Sequence, residues 1–150
     1  MGQADGTLAR HAWMGLLARS QPGRLAAAVE ALGTPPGHDW LRAPEVGAVM
    51  VRGRVGGAGA AFNLGEMTVT RCALRLASGE VGHGYVQGRD KAHATRAALV
   101  DALLQGPRAA EVEAGVLAPL RADEAARRDL RAAKAAATRV EFFTLQRGED

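Results

Sequence analysis

The stretch from about residue 40 to residue 87 constrains the fold more than any other part of the chain. Apolar residues alternate with polar ones over residues 46–55, which is the two-residue period of a strand with two different faces. Short turn-forming segments, Gly-Gly-Ala-Gly at 56–59 and Ser-Gly at 78–79, interrupt the stretch. Because parallel strands need crossovers of about a dozen residues or more, these short connections favour an antiparallel meander.

Helical patterns flank this stretch on both sides. Residues 7–33 carry an apolar stripe that pauses at residues 20–22, Ser-Gln-Pro, which predicts two short helices that end at Gly33. A firm break follows at residues 34–37, Thr-Pro-Pro-Gly. The helices expected after the strands cover about residues 90–105, 108–116 and 123–139, with a stop at 106–107 and a break near Pro119.

This order of elements predicts an α+β fold in one domain over residues 1–150. We expect an antiparallel sheet of three to four strands, flanked by an N-terminal helical hairpin and by C-terminal helices. Cys72 is the single cysteine, which excludes an intramolecular disulfide and an iron–sulfur cluster held by this chain alone. The sequence has no run of about 18 apolar residues and no apolar signal-peptide core, so we expect a soluble cytoplasmic protein that does not enter the membrane.

The first candidate site lies where the last predicted strand meets a helix. Gln87, Arg89, Asp90, Lys91 and His93 stand close together there. Free backbone N–H groups and the positive end of the dipole favour anions at a helix start, and an anion would also neutralise the two cations. In the alternative interpretation, Asp90 is an N-cap that satisfies the same N–H groups and stabilises the helix by about 1 kcal/mol. The corner is therefore either an anion or partner contact or a structural cap.

Other chemistries find less support in the sequence. The glycines at 56–59 lack the Lys-Ser/Thr pair of a phosphate-binding loop and are better explained by a hairpin turn. His83 and His93 lack the further ligands that a metal site needs, so hydrogen-bonded histidines are expected. Cys72 is interpreted as a small buried apolar residue, and no nucleophilic triad can be assembled. The net charge is only +3 and aromatic residues are 4% of the chain, so nucleic acid is not an expected partner.

The last residues combine aromatic and basic side chains. Phe142, Phe143 and Leu145 lie close to the end of the chain, after a helical stretch too rich in alanine to make a core, and Arg139 precedes them. Either these residues dock into the chain's own core, or they anchor it in another subunit, since aromatic residues and arginine dominate interface energetics. Both interpretations remain open at this point.

Several segments, in order and over nearly the whole chain, resemble the G subunits of the bacterial carbon–phosphorus lyase core complex, the PhnG family. They are His-Ala-Trp-Met at 11–14, Ala-Arg-Ser-Gln-Pro at 18–22, Thr-Arg-Cys-Ala-Leu-Arg-Leu at 70–76, Tyr-Val-Gln-Gly-Arg-Asp-Lys-Ala-His at 85–93, Asp-Ala-Leu at 101–103 and Arg-Val-Glu-Phe-Phe-Thr at 139–144.

The resemblance implies a cytoplasmic complex that breaks down organophosphonates, with the H, I and J subunits as partners. The complex uses ATP, and its catalytic chain is the I subunit. The ribose triphosphate part of ATP is attached to methylphosphonate, and adenine is released. S-adenosylmethionine and an iron–sulfur cluster serve later chemistry on the J subunit. The resemblance assigns no catalytic residue, metal ligand or cofactor to this chain, which we expect to be inactive alone. The alternative is a stand-alone module that binds a phosphorylated ligand through Arg89, Lys91 and His93.

Overall fold

The structure, a computed structural model, describes residues 2–138 and has the predicted α+β architecture. The elements in chain order are α1 (Gly2–Arg19), α2 (Pro22–Ala31), β1 (His38–Arg54), β2 (Ala61–Leu76), β3 (Val81–Gln87), α3 (Lys91–Leu103), α4 (Ala109–Val112) and α5 (Ala118–Ala137). Within residues 2–138 the sheet has three strands in the order β1-β2-β3, and both pairings are antiparallel. The predicted class and the predicted meander are therefore confirmed.

The core lies between the helices and one face of the sheet. Cys72, Leu74 and Leu76 of β2 and Val86 of β3 are buried against the helices. Helix α3 contributes an almost continuously buried run, residues 97–104, because it is covered by the sheet on one side and by α1 and α2 on the other. The alanine-rich composition of α3 suits this position, since small side chains let neighbouring backbones approach closely.

Two glycines set the distance between α3 and β3. A Cβ atom on Gly82 would lie 1.8 Å from the carbonyl oxygen of Ala98, and one on Gly84 would lie 2.0 Å from that of Ala94. Backbone atoms cannot yield at such distances, so the helix can reach the strand only where side chains are missing. The alternation of glycine along β3 therefore seats the helix directly on the strand backbone.

The outer part of the β1–β2 ribbon has a different environment. Strand β3 pairs with residues Val69 to Arg75 of β2, so residues 48–68 form a two-stranded ribbon that we call the hairpin arm. At its tip the glycines at 56 and 57 have φ of 59° and 79°, which confirms the hairpin interpretation of the loop. Large apolar side chains are exposed along the arm: Met50, Val55, Phe62 and Leu64.

The prediction of a helix break near Pro119 was wrong. Helix α4 continues through a π-helical turn, Glu113–Leu117, into α5, and the N–H of Ala118 donates to the carbonyl oxygen of Glu113. The π-helical turn shifts the hydrogen-bonding register of the helix by one residue just before the proline. The missing N–H of Pro119 therefore falls in the first turn of α5. A proline is tolerated there for the same reason that it is tolerated at any helix start.

Candidate functional site

The corner between β3 and α3 is organised by backbone hydrogen bonds. Gly88 takes φ of 91° at the turn, its N–H donates to the Thr68 carbonyl oxygen at 2.9 Å, and its own carbonyl accepts from Thr70 Oγ1 at 2.7 Å. Asp90 Oδ1 then accepts from the His93 N–H at 2.8 Å. Asp90 is thus the N-cap of α3, as the structural interpretation of the corner predicted.

His93 is a buried link between α3 and the end of α1. Its Nε2 lies 2.9 Å from the Leu17 carbonyl oxygen, which can only accept, so this nitrogen carries the proton and donates. Ser20 Oγ donates to the same carbonyl at 2.8 Å and lies 3.3 Å from His93 Nε2. The orphan carbonyl at the end of α1 is therefore satisfied by two side chains. The expectation of a hydrogen-bonded histidine is confirmed.

The predicted corner residues separate into two groups. Gln87 and His93 line a cleft of about 600 Å³ between the α1–α2 junction, the end of β3 and α5. Arg89, Asp90 and Lys91 are exposed in the turn and at the start of α3, outside the lining of that cleft. Their contact with an anion or a partner stays a prediction.

Arginines that sequence reasoning did not single out dominate the cleft. Arg127, Arg128 and Arg131 project from α5, and Arg19 at the end of α1 completes the set. The signal in the sequence was their spacing, because residues three and four apart lie on the same helix face. It was obscured by the abundance of arginine and alanine in this stretch.

Ion pairs attach α5 to the N-terminal helices beside the cleft. Arg19 Nε lies 2.9 Å from Glu124 Oε1, and Arg24 Nε lies 2.6 Å from Asp123 Oδ2. The hydrogen bond from Arg19 lowers the pKa of the Glu124 carboxyl, with smaller contributions from the charges of Arg128 and Arg127. The hydrogen bond from Arg24 lowers the pKa of Asp123 in the same way. Both carboxylates stay ionised near neutral pH, and the cleft keeps a net positive charge.

A second polar cluster, also missed by sequence reasoning, is built on Asp101. This carboxylate is fully buried on α3 and accepts from Arg10 Nε at 3.1 Å, Arg10 Nη2 at 2.8 Å and Trp13 Nε1 at 2.9 Å. It also accepts the His83 N–H at 2.9 Å, on the edge strand β3. Arg10 in turn donates to the Val81 carbonyl oxygen at 3.0 Å. The cluster uses α1 to cover the open edge of the sheet, so its role is structural.

Cys72 is buried under Gly84, as expected of a small apolar residue. Burial raises the pKa of its thiol to about 11, although a backbone hydrogen bond at Gly84 acts in the opposite direction. The thiol is therefore protonated at neutral pH and is a poor nucleophile. Within residues 2–138, no group of three or more histidine, cysteine, aspartate or glutamate side chains is arranged to hold a metal ion.

Two further predictions concern the C-terminal interface and the membrane. The candidate interface residues Arg139, Phe142, Phe143 and Leu145 lie outside the described residues. Among the helices over residues 2–138, none combines the length and apolar character needed to cross a membrane.

Comparison with known proteins agrees with the resemblance seen in the sequence. The family model described as "Phosphonate metabolism protein PhnG" matches residues 8–148. A protein of Rhizobium meliloti (strain 1021), "Alpha-D-ribose 1-methylphosphonate 5-triphosphate synthase subunit PhnG", is 49% identical over 150 residues, covering 97% of this chain and 93% of that protein. The match to the family model covers helices α2 to α5, most of α1 and the whole of the hairpin arm. The chain belongs to the PhnG family of phosphonate metabolism proteins.

Proposed function

We propose that this chain is a non-catalytic subunit of an alpha-D-ribose 1-methylphosphonate 5-triphosphate synthase. In this role it supports transfer of the ribose triphosphate of ATP to methylphosphonate, with release of adenine, in a cytoplasmic complex with H, I and J subunits in which the I subunit is catalytic. The printed name of the Rhizobium relative supports assignment to this synthase.

The hairpin arm is the observation that carries the assembly part of this proposal. A two-stranded ribbon is at best marginally stable in water, and no residue of this one, over residues 48–68, is buried. Leu64 is 66% exposed and Met50 is 52% exposed on the arm. Large apolar side chains left exposed on one ribbon favour a role in contacts with other chains. The arm therefore suits a chain whose fold is completed by neighbouring subunits.

The buried polar side chains support the non-catalytic part of the proposal. Ser20, Thr70, His93 and Asp101 are buried, and each is engaged in hydrogen bonds that hold helices or strands together. A group committed to a backbone partner in this way is a structural element rather than an acid or base poised for substrate.

The proposal is tested by adenine release from ATP and methylphosphonate. We expect the complex co-expressed with H, I and J subunits to release adenine, and the isolated chain to release none above a no-protein control. Omitting this chain from the co-expression should reduce the activity of the remaining subunits at least tenfold. Adenine formation by the isolated chain would contradict the helper role, and full activity without it would contradict any role in the transfer.

A truncation tests the predicted C-terminal interface separately. A chain ending at Thr138 lacks Arg139, Phe142, Phe143 and Leu145 but keeps α5 to its end. If these residues anchor another subunit, the truncated chain keeps the melting temperature of the full-length chain but no longer co-purifies with its partners. Undiminished co-purification would leave the hairpin arm as the surface responsible for assembly.

A further inference from the structure

The cleft between α5 and the α1–α2 junction concentrates positive charge. Arg127, Arg128 and Arg131 line one wall, Arg19 lies at the edge, and Glu124 is the one carboxylate that residues 2–138 contribute to the lining. Guanidinium groups three and four positions apart on one helix face repel each other, and that repulsion falls when an anion binds between them. The charge distribution alone therefore favours an anionic ligand.

Part of this charge is already held in position by the fold. Arg127 Nη2 donates to the Arg19 carbonyl oxygen at 3.3 Å, at the negative end of α1, and Arg19 pairs with Glu124. These contacts join α5 to α1 beside the cleft, which has a volume of about 600 Å³. Small-molecule sites commonly have volumes of about 300 to 1,000 Å³, so the space suits a ligand larger than one phosphate ion.

Arg128 and Arg131 are the arginines of the cleft that remain available. Within the described residues, neither has a hydrogen bond or an ion pair to a carboxylate or carbonyl oxygen, both are exposed, and Arg128 acts on Glu124 through its charge alone. Their i, i+3 spacing puts them side by side on α5. The planar fork of each guanidinium matches the oxygens of a phosphoryl group and binds them by paired hydrogen bonds.

We propose that this cleft binds a polyphosphate, that is, a chain of phosphoryl groups such as a triphosphate. Arg128 and Arg131 bind successive phosphoryl groups, and the Gln87 amide donates from the opposite wall. The cleft of about 600 Å³ has room for more than one phosphoryl group, and successive phosphoryl groups offer each guanidinium fork its own oxygens, so a longer anion is favoured over a carboxylate or a single phosphate. This proposal rests on the cleft alone and does not depend on the function proposed above.

The test is calorimetric titration of the full-length chain at physiological salt with two probes, inorganic tripolyphosphate and ATP. The variant is the double substitution Arg128→Gln and Arg131→Gln, which keeps the side-chain stems. The matched control is Arg52→Gln with Arg75→Gln, which removes the same charge from exposed strand positions outside the cleft. Melting curves verify that all three proteins are equally folded.

We expect both probes to bind the wild-type chain, the cleft variant to lose at least tenfold in affinity, and the control to stay within twofold. Binding of ATP but not tripolyphosphate would overturn the proposal, because the phosphoryl chain alone would then not be the group that the cleft recognises. Equal losses in variant and control would overturn it, because they would indicate unspecific charge attraction. A hexaglutamate peptide that binds more tightly than either probe would also overturn it, in favour of an acidic segment of a partner. Adenine release by the complex is a separate readout, so failure here leaves the proposed function untouched.

Discussion

The β3–α3 contact and the hairpin arm use glycine in opposite ways. At Gly82 and Gly84 a Cβ atom would collide with helix carbonyl oxygens at 1.8 and 2.0 Å, so these residues are required by the packing. At Gly65 of the arm, and at Gly47 just below it, a Cβ atom would meet no described residue within 4 Å. The β3–α3 contact therefore has no room for a further methyl group, whereas the surface of the hairpin arm has open space.

Apolar side chains repeat the contrast along a single strand. On β2, Leu74 is fully buried beneath α3, while Leu64, ten residues earlier, is 66% exposed. The strand continues without a break between them. The difference therefore comes from what covers the strand and not from the strand itself, and this is the pattern expected where covering material comes from another chain.

The largest expected effect comes from filling the packed region. Gly82→Ala places a methyl group 1.8 Å from the Ala98 carbonyl oxygen and 2.8 Å from the Ala102 nitrogen, so α3 must move away from β3. We expect a loss of about 3 kcal/mol or more in the free energy of unfolding, at or above the upper end for overpacked cores. Chemical denaturation followed by circular dichroism measures it.

Gly65→Ala is the matched control in the arm. The added methyl group meets open space, and replacing glycine inside a strand removes flexibility from the unfolded chain, so stability should be unchanged or slightly higher. Equal destabilisation by the two substitutions would contradict the comparison, because it would mean that the arm is packed as tightly as the core.

The sequence predicted the sheet better than it predicted the helices after it. Alternation and short turn segments are local signals, and they placed the meander and the hairpin loop correctly. The prediction of a break at Pro119 was wrong because an internal proline usually ends a helix. The π-helical turn that accommodates this proline has no simple sequence signal.

The candidate site was predictable only in part. The cap at Asp90 and the burial of Cys72 followed from local rules. The cleft did not, since it requires knowing that α5 returns to the end of α1, and that contact is made by ion pairs such as Arg19 with Glu124. Asp101 was missed for the same reason: its partners Arg10 and Trp13 are about ninety residues away in the chain.

Polar contacts should show the same contrast between a buried and an exposed region. Asp101→Asn keeps the shape of a fully buried side chain but removes its charge, and its amide nitrogen cannot accept from Arg10, Trp13 or the His83 N–H. Breaking a buried pair by changing one partner costs about 3 to 5 kcal/mol. Arg10 is partly exposed, so we expect a loss near the lower end of that range in the free energy of unfolding.

Asp123→Asn provides the corresponding change at the surface. Its partner Arg24 is more than half exposed, and water replaces a lost surface pair readily. The unfolding midpoint of this variant should match that of the wild type near neutral pH. If Asp123→Asn proved as damaging as Asp101→Asn, the ion pairs that attach α5 would carry more of the stability than their exposure indicates.

Substitutions of the exposed apolar residues of the arm should also change stability very little. Met50→Gln with Leu64→Gln replaces two exposed apolar side chains by polar ones of similar length. Surface substitutions of this kind usually change stability by less than about 0.5 kcal/mol. The isolated variant should therefore melt like the wild type.

The same variant should nevertheless co-purify poorly with its partner subunits, because the side chains it changes are those left for a partner to cover. Hydrogen exchange sharpens the point: amides of the arm should exchange faster than those of β3 in the isolated chain, and slow down in the assembled complex. A variant that assembles normally, or an arm already protected when alone, would show that the ribbon is stabilised from within. Leu64 and Met50 would then be ordinary surface residues. The contrast between the packed β3–α3 contact and a hairpin arm that is completed by partner subunits would be wrong.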